Sequence, residues 1–241
     1  MKLTLFDKLI FQAFVHEREV TEVRIVKAYG KSPAWNNDFA RGAVAGYFDD
    51  HEAFCRAVQA ADKNKHNGIY FCLQTIDPRL IGRAFNRLKP TNLTTSDNNV
   101  IAYRWLPIDL DPVRPSGISA SKSEILEAAK LKPKIILWVK ERYGFADPIQ
   151  AFSGNGSHLL FRLPDLPATV ENKEFIKGVL SEIAEEFDNE AVTIDTTVFN
   201  PARIWKLYGT TAKKGDPVPE GPGREARPHR MAFIETLGAN A

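Results

Sequence analysis

Apolar side chains at Leu5, Leu9, Ile10, Phe14 and Val15 fall close to helical spacing and predict a helix within residues 3–15. Alternation then takes over: Val23 and Ile25 against Arg24 and Val26 predict a strand over 21–28. An Asn- and Pro-rich loop follows at 32–38, then a short strand over 43–47. Asp49 or Asp50 is placed to cap a helix reaching Ala61, with Phe54, Val58 and Ala61 on one face. Residues 68–75 read as a strand, and Asp77-Pro78 as the opening of a helix to Leu88. Residues 90–99 are polar and predict a linker or a functional loop.

The second half repeats the exercise. Arg104 to Asp111 reads as a strand ending at Pro112. Ser121 or Ser123 caps a helical region running to Tyr143 and Gly144, with Pro133 predicting a kink or two short helices. Strands are expected over 148–152 and 157–163, joined by a tight turn at 153–156. Phe175, Ile176, Val179, Leu180, Ile183 and Phe187 form one stripe of a helix over 171–187. Strands are predicted over 192–198 and 204–208, with a closing strand over 229–234. The order strand, helix, strand, strand, helix, strand is the split βαβ plan. The expected class is therefore α/β (α+β) in two lobes of one integrated domain. An N-terminal β/α lobe covers 1–95, a split-βαβ lobe 96–212, and a mobile basic, Gly/Pro-rich tail 213–241.

Composition narrows this only a little. Charged residues make up 26% and the formal net charge is +2, too mild to imply a polyanionic partner by itself. The two cysteines, Cys55 and Cys72, imply neither a disulfide framework nor a zinc site, and fit reduced thiols in a cytoplasmic protein. No run approaches the roughly 18 apolar residues of a membrane span. The start does not read as a signal peptide.

Candidate chemistry concentrates in three segments. On a strand, Asp109 and Asp111 point the same way, while Leu106, Ile108 and Leu110 point the other. Side by side the two carboxylates repel, and a divalent cation resolves the conflict. Counting along the later strand places Asp195 opposite Val192, Ile194, Thr196 and Val198, so it can converge on the same open face. Oxygen-only ligands suit magnesium or manganese, and a pair of such ions serves phosphoryl transfer. An Asp-x-Asp pair alone is more often two solvated acids. Next, the glycines of Ser153-Gly154-Asn155-Gly156-Ser157-His158 allow a turn with exposed amides able to hold phosphate, with His158 following it. A plain hairpin is the simpler alternative. Finally, Arg203, Lys206, Lys213 and Lys214 cluster after Asp195, where cations would balance a triphosphate. Arg203 and Lys206 face opposite sides of a continuous strand. In the first half, Arg83 and Arg87 at i, i+4 spacing offer a DNA-tracking face, and Trp35, Tyr47 and Tyr103 offer stacking surfaces.

Together these segments resemble the archaeo-eukaryotic primase superfamily, in particular the primase–polymerase domains of phage, plasmid and mobile-element replication proteins. The superfamily's three motifs correspond, in order, to Asp109-Leu110-Asp111, Ser153 to His158, and Ile194-Asp195. The strings Asp109 to Gly117, Ser153 to Leu160 and Ala202 to Thr210 are similar to that mobile-element branch, as is Gly46 to Asp50. The resemblance implies a two-lobed primase fold with an RNA-recognition-like catalytic palm. It implies metal binding by catalytic Asp109, Asp111 and Asp195, and phosphate contact by His158. It also places Arg203, Lys206, Asn155 and one of Ser153 and Ser157 in a nucleotide pocket. The implied activity is primer synthesis or extension on single-stranded DNA from ribo- or deoxynucleoside triphosphates, with Mg2+ or Mn2+ and no zinc. A monomer is expected, with a helicase as partner or fused domain and Lys213 and Lys214 as further DNA contacts. Two rivals remain. A replication-initiator nuclease generally needs a His-x-His pair that the five histidines do not form, and a non-catalytic single-strand binder would bear aromatics where Asp109, Asp111 and Asp195 stand.

Overall fold

Side-chain caps set the helix starts. Asp7 accepts from the Leu9 and Ile10 amides at the head of α1 (Lys8–Phe14), and Asp50 accepts from Ala53 to open α2 (His51–Asp62). A Ser121/Glu124 capping box opens α3 (Lys122–Tyr143), which ends on Gly144 at φ +70°; Thr169 caps α4 (Val170–Phe187). The computed structural model describes residues 2–64 and 66–239. In chain order its strands are β1 (Thr21–Lys31), β2 (Phe39–Phe48), β3 (Gly68–Cys72), β4 (Thr75–Ile76), β5 (Lys89–Pro90), β6 (Val100–Pro112), β7 (Ile149–Phe152), β8 (Ser157–Pro167), β9 (Val192–Ile194), β10 (Ile204–Lys206), β11 (Thr211–Ala212), β12 (Arg230–Met231) and β13 (Phe233–Thr236).

These strands make a mixed α/β fold of antiparallel sheets. The first sheet runs β10-β3-β1-β2-β5; the second runs β13-β7-β8-β6-β4, with β9 also paired to β6. β6 to β9, with α3 and α4 between, follow the strand–helix–strand–strand–helix–strand order. Leu106, Ile108 and Leu110 of β6 enter one apolar core with Ala128, Ile135 and Val139 of α3 and Ile176, Val179, Leu180 and Ile183 of α4. Phe175, expected on that stripe, is 41% exposed. The sheets exchange strands: β10, late in the chain, pairs with β3, and β4, from the first half, pairs with β6.

Several local expectations need correcting. After Asp77 only a 3-10 turn forms, Pro78–Arg83, because the next residues pair with β2: Tyr47 donates to the Ala84 carbonyl and Asn86, at φ +47°, donates to that of Tyr47. No helix therefore aligns Arg83 with Arg87. α3 runs unbroken through Pro133, since Ala128, Lys132, Ile135 and Val139 stay buried along its inner side and packing offsets the lost amide. β9 stops at Ile194, where Asp195 caps a 3-10 turn, Thr196–Phe199, by accepting from Thr197. β10 stops at Lys206. Trp35, Tyr47 and Tyr103 are each only 1% exposed, so none offers a face to a base. The basic segment after Lys213 is tied down: Arg227 reaches Glu124 and the Ser119 carbonyl, Arg230 the Ala120 carbonyl, and β13 pairs with β7.

One buried cation joins distant segments. The Arg104 guanidinium donates twice to Glu19 at 2.6 Å, to Asp165 at 2.8 Å and to the Phe14 carbonyl. Burial pushes both carboxyls up, but Arg104 outweighs it and holds Glu19 and Asp165 below the ordinary carboxylate range. Their contribution to stability is therefore present above about pH 4 and lost as pH falls further. Arg104→Ala should lower the unfolding free energy by about 3 kcal/mol at neutral pH, because it strands the paired carboxylates. Urea unfolding should also show a shallower acid decline for the variant than for the parent chain.

Candidate active site

Strand alternation puts Asp109 and Asp111 on the same face of β6, and the β6–β8 register sets His158 directly across from Asp109. Asp195 arrives from the other side: β9 pairs with the end of β6, and the Asp195 amide donates to the Asp109 carbonyl at 3.0 Å. All three carboxylates line one cavity of about 330 Å³ between the two sheets. Val26, Tyr70, Ile204, Trp205 and Lys206 come to it from the first sheet.

The carboxylates are not equivalent. Asp109 Oδ1 is buried with no hydrogen-bond partner; His158 Nε2 lies 3.5 Å from it. Burial pushes the Asp109 carboxyl up, but His158, Lys214 and Arg203 outweigh it and hold it below its ordinary value. The Asp111 carboxyl is pushed up, first by the charge of Asp109 and then by burial, against the pull of Lys214 and Arg114. Asp195 is engaged elsewhere, accepting from Thr197 at 2.6 Å and from Arg203 at 3.0 Å. Among the described residues no three acidic, histidine or cysteine side chains stand close enough together to hold a metal. An orphaned buried oxygen beside a repelling carboxylate is nevertheless a donor set that a hard cation fits, given further oxygens from a phosphate.

His158 is buried between two aromatic residues. Its ring lies 4.1 Å from that of Trp205, and its Nδ1 is 2.8 Å from the Tyr208 hydroxyl. Trp205 Nε1 donates to the same hydroxyl at 2.8 Å. An indole N–H can only donate, so the Tyr208 oxygen accepts there and its proton is free to point at His158 Nδ1. Burial pushes the Tyr208 hydroxyl well above its ordinary pKa, which keeps that proton in place. Nδ1 is then the acceptor and Nε2 carries the proton, facing Asp109 and the cavity.

The turn before His158 differs from expectation. The Asn155 and Gly156 amides both donate to Ser153 Oγ, so they are not exposed for phosphate. Gly156 serves a close approach instead: a Cβ there would collide with the Leu110 carbonyl. Asn155 accepts from Ala120 and donates to the Lys214 carbonyl, clamping two loops at the rim. Of the two serines, Ser153 lines the cavity, whereas Ser157 is buried in the ladder opposite Leu110.

The cations divide as well. Arg203 and the exposed Lys214 line the cavity. Lys206 does too, but its ammonium is buried and donates to Ile69, Thr210 Oγ1 and Thr211. Lys213 turns away and donates to the carbonyls of Asp62 and Asn64 at the end of α2. Arg83 donates to the Tyr47 hydroxyl and the Thr94 carbonyl, outside the cavity, and Arg87 is exposed away from it. Sequence reasoning missed Arg114, which lines the cavity near Asp111, and Tyr70, Trp205 and Tyr208. Arg114 lies three residues beyond Asp111 in a string already singled out, so it was findable; Tyr70 becomes visible only once β3 pairs with β10.

Tyr208→Phe should leave the fold intact and release the choice of histidine tautomer. Nitrogen-15 spectra should show protonation at Nε2 of His158 in the parent and a mixture in the variant. Lys206 gives a second expectation. Burial, with Lys213 adding to it and Asp62 opposing, pushes its ammonium down to about 7. An unfolded lysine keeps its proton to about pH 10. The unfolded chain therefore binds the extra proton between those values, and stability should rise as pH goes from 7 to 10. Urea unfolding across that range should show the rise in the parent chain and its loss in Lys206→Met.

No family model matches the chain, and no curated protein matches it in sequence. Among solved structures it is similar to the AEP domain of the cyanophage S-2L primase-polymerase (PrimPol), with 13% identity and a TM-score of 0.48, over 95% of this chain and 88% of that one.

Proposed function

We propose that the chain is the catalytic domain of a metal-dependent DNA primase–polymerase of the archaeo-eukaryotic superfamily, adding nucleotides on a single-stranded DNA template. The observation that carries this reading is one cavity holding Asp109, Asp111 and Asp195 together with Arg114, Arg203 and Lys214. Carboxylates alone repel a triphosphate, and cations alone bind one without acting on it. Both signs around one space suit phosphoryl transfer, where positioning and charge neutralisation do most of the work.

Asp109 and Asp111 would hold Mg2+ or Mn2+, with Asp195 joining if it exchanges Arg203 for the cation. Bound there, the ions would supply activation of the attacking hydroxyl and neutralisation of the phosphates. The remaining roles fall to the chain itself. Arg114 and Lys214 receive phosphate oxygens at the cavity rim. Arg203, once released by Asp195, adds a planar pair of donors. His158, with its proton on Nε2, donates into the cavity, and the Trp205 ring packed against it limits its movement. Lys206 holds the 207–211 turn through its three acceptors and supports this wall from within. The split-βαβ sheet is, on this reading, the palm.

The test is incubation with single-stranded DNA, labelled nucleoside triphosphates and either metal, without primer, followed by gel analysis of the products. The parent chain should make polymer, and Asp109→Ala should reduce it by at least about a thousandfold, the scale of losing a group that stabilises transferring charge. Thermal unfolding of the variant should match or exceed that of the parent, because a buried unpartnered oxygen is removed. Polymer formation by purified Asp109→Ala, or DNA binding without product in either metal, would overturn the proposal.

A further inference from the structure

The cavity wall built by the first sheet does not end at the cavity. Arg24 pairs with Tyr70, Tyr70 with Lys206, and Val26 with Gly68, so these side chains share one sheet face. Gly68 lies under the Tyr70 ring, where a Cβ would come within 2.8–3.0 Å of it. Beyond Val26 the strand carries a bulge: the four residues from Ile25 to Ala28 oppose the three from Val44 to Gly42, and the extra residue, Lys27, sits at φ +54°. Without the bulge, alternation would turn Tyr29 towards the core. With it, Ala28 is buried and Tyr29 and Lys31 stay on the face of Val26, the first of them roughly 7 Å further along the ladder.

On β2, Arg41 stands opposite Tyr29 and Phe39 opposite Lys31. The four side chains form a square with aromatics on one diagonal and cations on the other. The Tyr29 and Phe39 rings are 5.6 Å apart and nearly perpendicular, and they are 60% and 56% exposed. Lys27, Lys31 and Arg41 are exposed around them, against a single acid, Asp38, in residues 27–41. Two adjacent open rings on a sheet are unusual on a surface with no partner.

We propose that this hairpin face binds single-stranded nucleic acid, with bases stacked on Tyr29 and Phe39 and phosphates against Lys27, Lys31 and Arg41. Alternating rings and cations match the repeat of base and phosphate along an unpaired strand. A duplex hides its base faces, and an acidic peptide would satisfy the cations while leaving the rings in water. The shared sheet face leads the strand from the square to the cavity wall at Val26 and Tyr70. That the strand is a template rests on the proposed function; that it binds here does not.

The test is fluorescence anisotropy of labelled oligothymidylate with the full chain in EDTA, over a range of salt. The paired change Tyr29→Leu with Phe39→Leu keeps apolar volume and should weaken binding about tenfold, with little change in salt dependence. Lys31→Ala with Arg41→Ala should reduce the slope of log affinity against log salt by roughly 1.4, two phosphates at about 0.7 each. Thermal melting of both variants should match the parent. Parent-like binding by the aromatic pair overturns the proposal, whether or not the cation pair loses affinity, since only polyanion attraction would remain. Failure of the parent to bind, or equal affinity for duplex, also overturns it. Because EDTA removes the metals, binding at the square with no polymer in the metal assay would sink the polymerase reading alone. Polymer formation with parent-like binding by both variants would sink this proposal alone.

Discussion

Two like charges held on one face of one strand are the constraint around which this molecule is arranged. The β6 backbone gives Asp109 and Asp111 no freedom to point apart, and the cleft between the sheets leaves them only partly open to water. The surroundings answer with positive charge from separate places. Arg114 comes from the loop after β6, Arg203 from the turn before β10 and Lys214 from the segment after β11, while His158 on the neighbouring strand turns its Nε2–H towards the pair. Each relieves the pair a little, and the opposite shifts of the two carboxyls show that the relief is uneven. A site that must be balanced from four segments can also be rebalanced by a charged ligand.

The framework that holds these segments is mostly neutral and buried. Trp205, Tyr208 and His158 form a hydrogen-bonded line from a strand of the first sheet to one of the second. Gly156 brings the turn against the end of β6, and Asn155 ties it to the loops on either side. Asn155 and Lys206, singled out in the sequence as nucleotide contacts, also fasten their surroundings together, and residues with no obvious chemistry set the geometry of those that have it.

How much of this was legible in the sequence follows from the range of the forces involved. Helix caps and stripes are local, so Asp50 and Ser121 mark real starts and the buried sides of α2 and α4 were readable. Strand alternation aligned Asp109 with Asp111; Asp195 reaches the same cavity from just beyond the end of its strand. Most failures are places where a distant partner wins. The 78–88 segment gives up its helix to pair with β2, whereas Asp195 leaves its strand for a local cap. Lys206 and Lys213 read as free cations but find carbonyl partners contributed by other segments. Tyr29 and Phe39 drew no notice because a one-residue bulge decides which way they face, and spacing alone does not reveal it.

The exchange of strands between the sheets has a consequence for how the chain can be divided. Cutting between the carboxylate-bearing half and the first ninety residues would not yield two self-sufficient pieces. The early piece would lose β10 and expose the backbone edge of Gly68–Cys72, an apolar strand with a ready tendency to pair with copies of itself. The late piece would lose the cover that β4 gives the start of β6. The two parts are braided rather than hinged, so folding has to bring residues more than a hundred positions apart into register before the first sheet is complete.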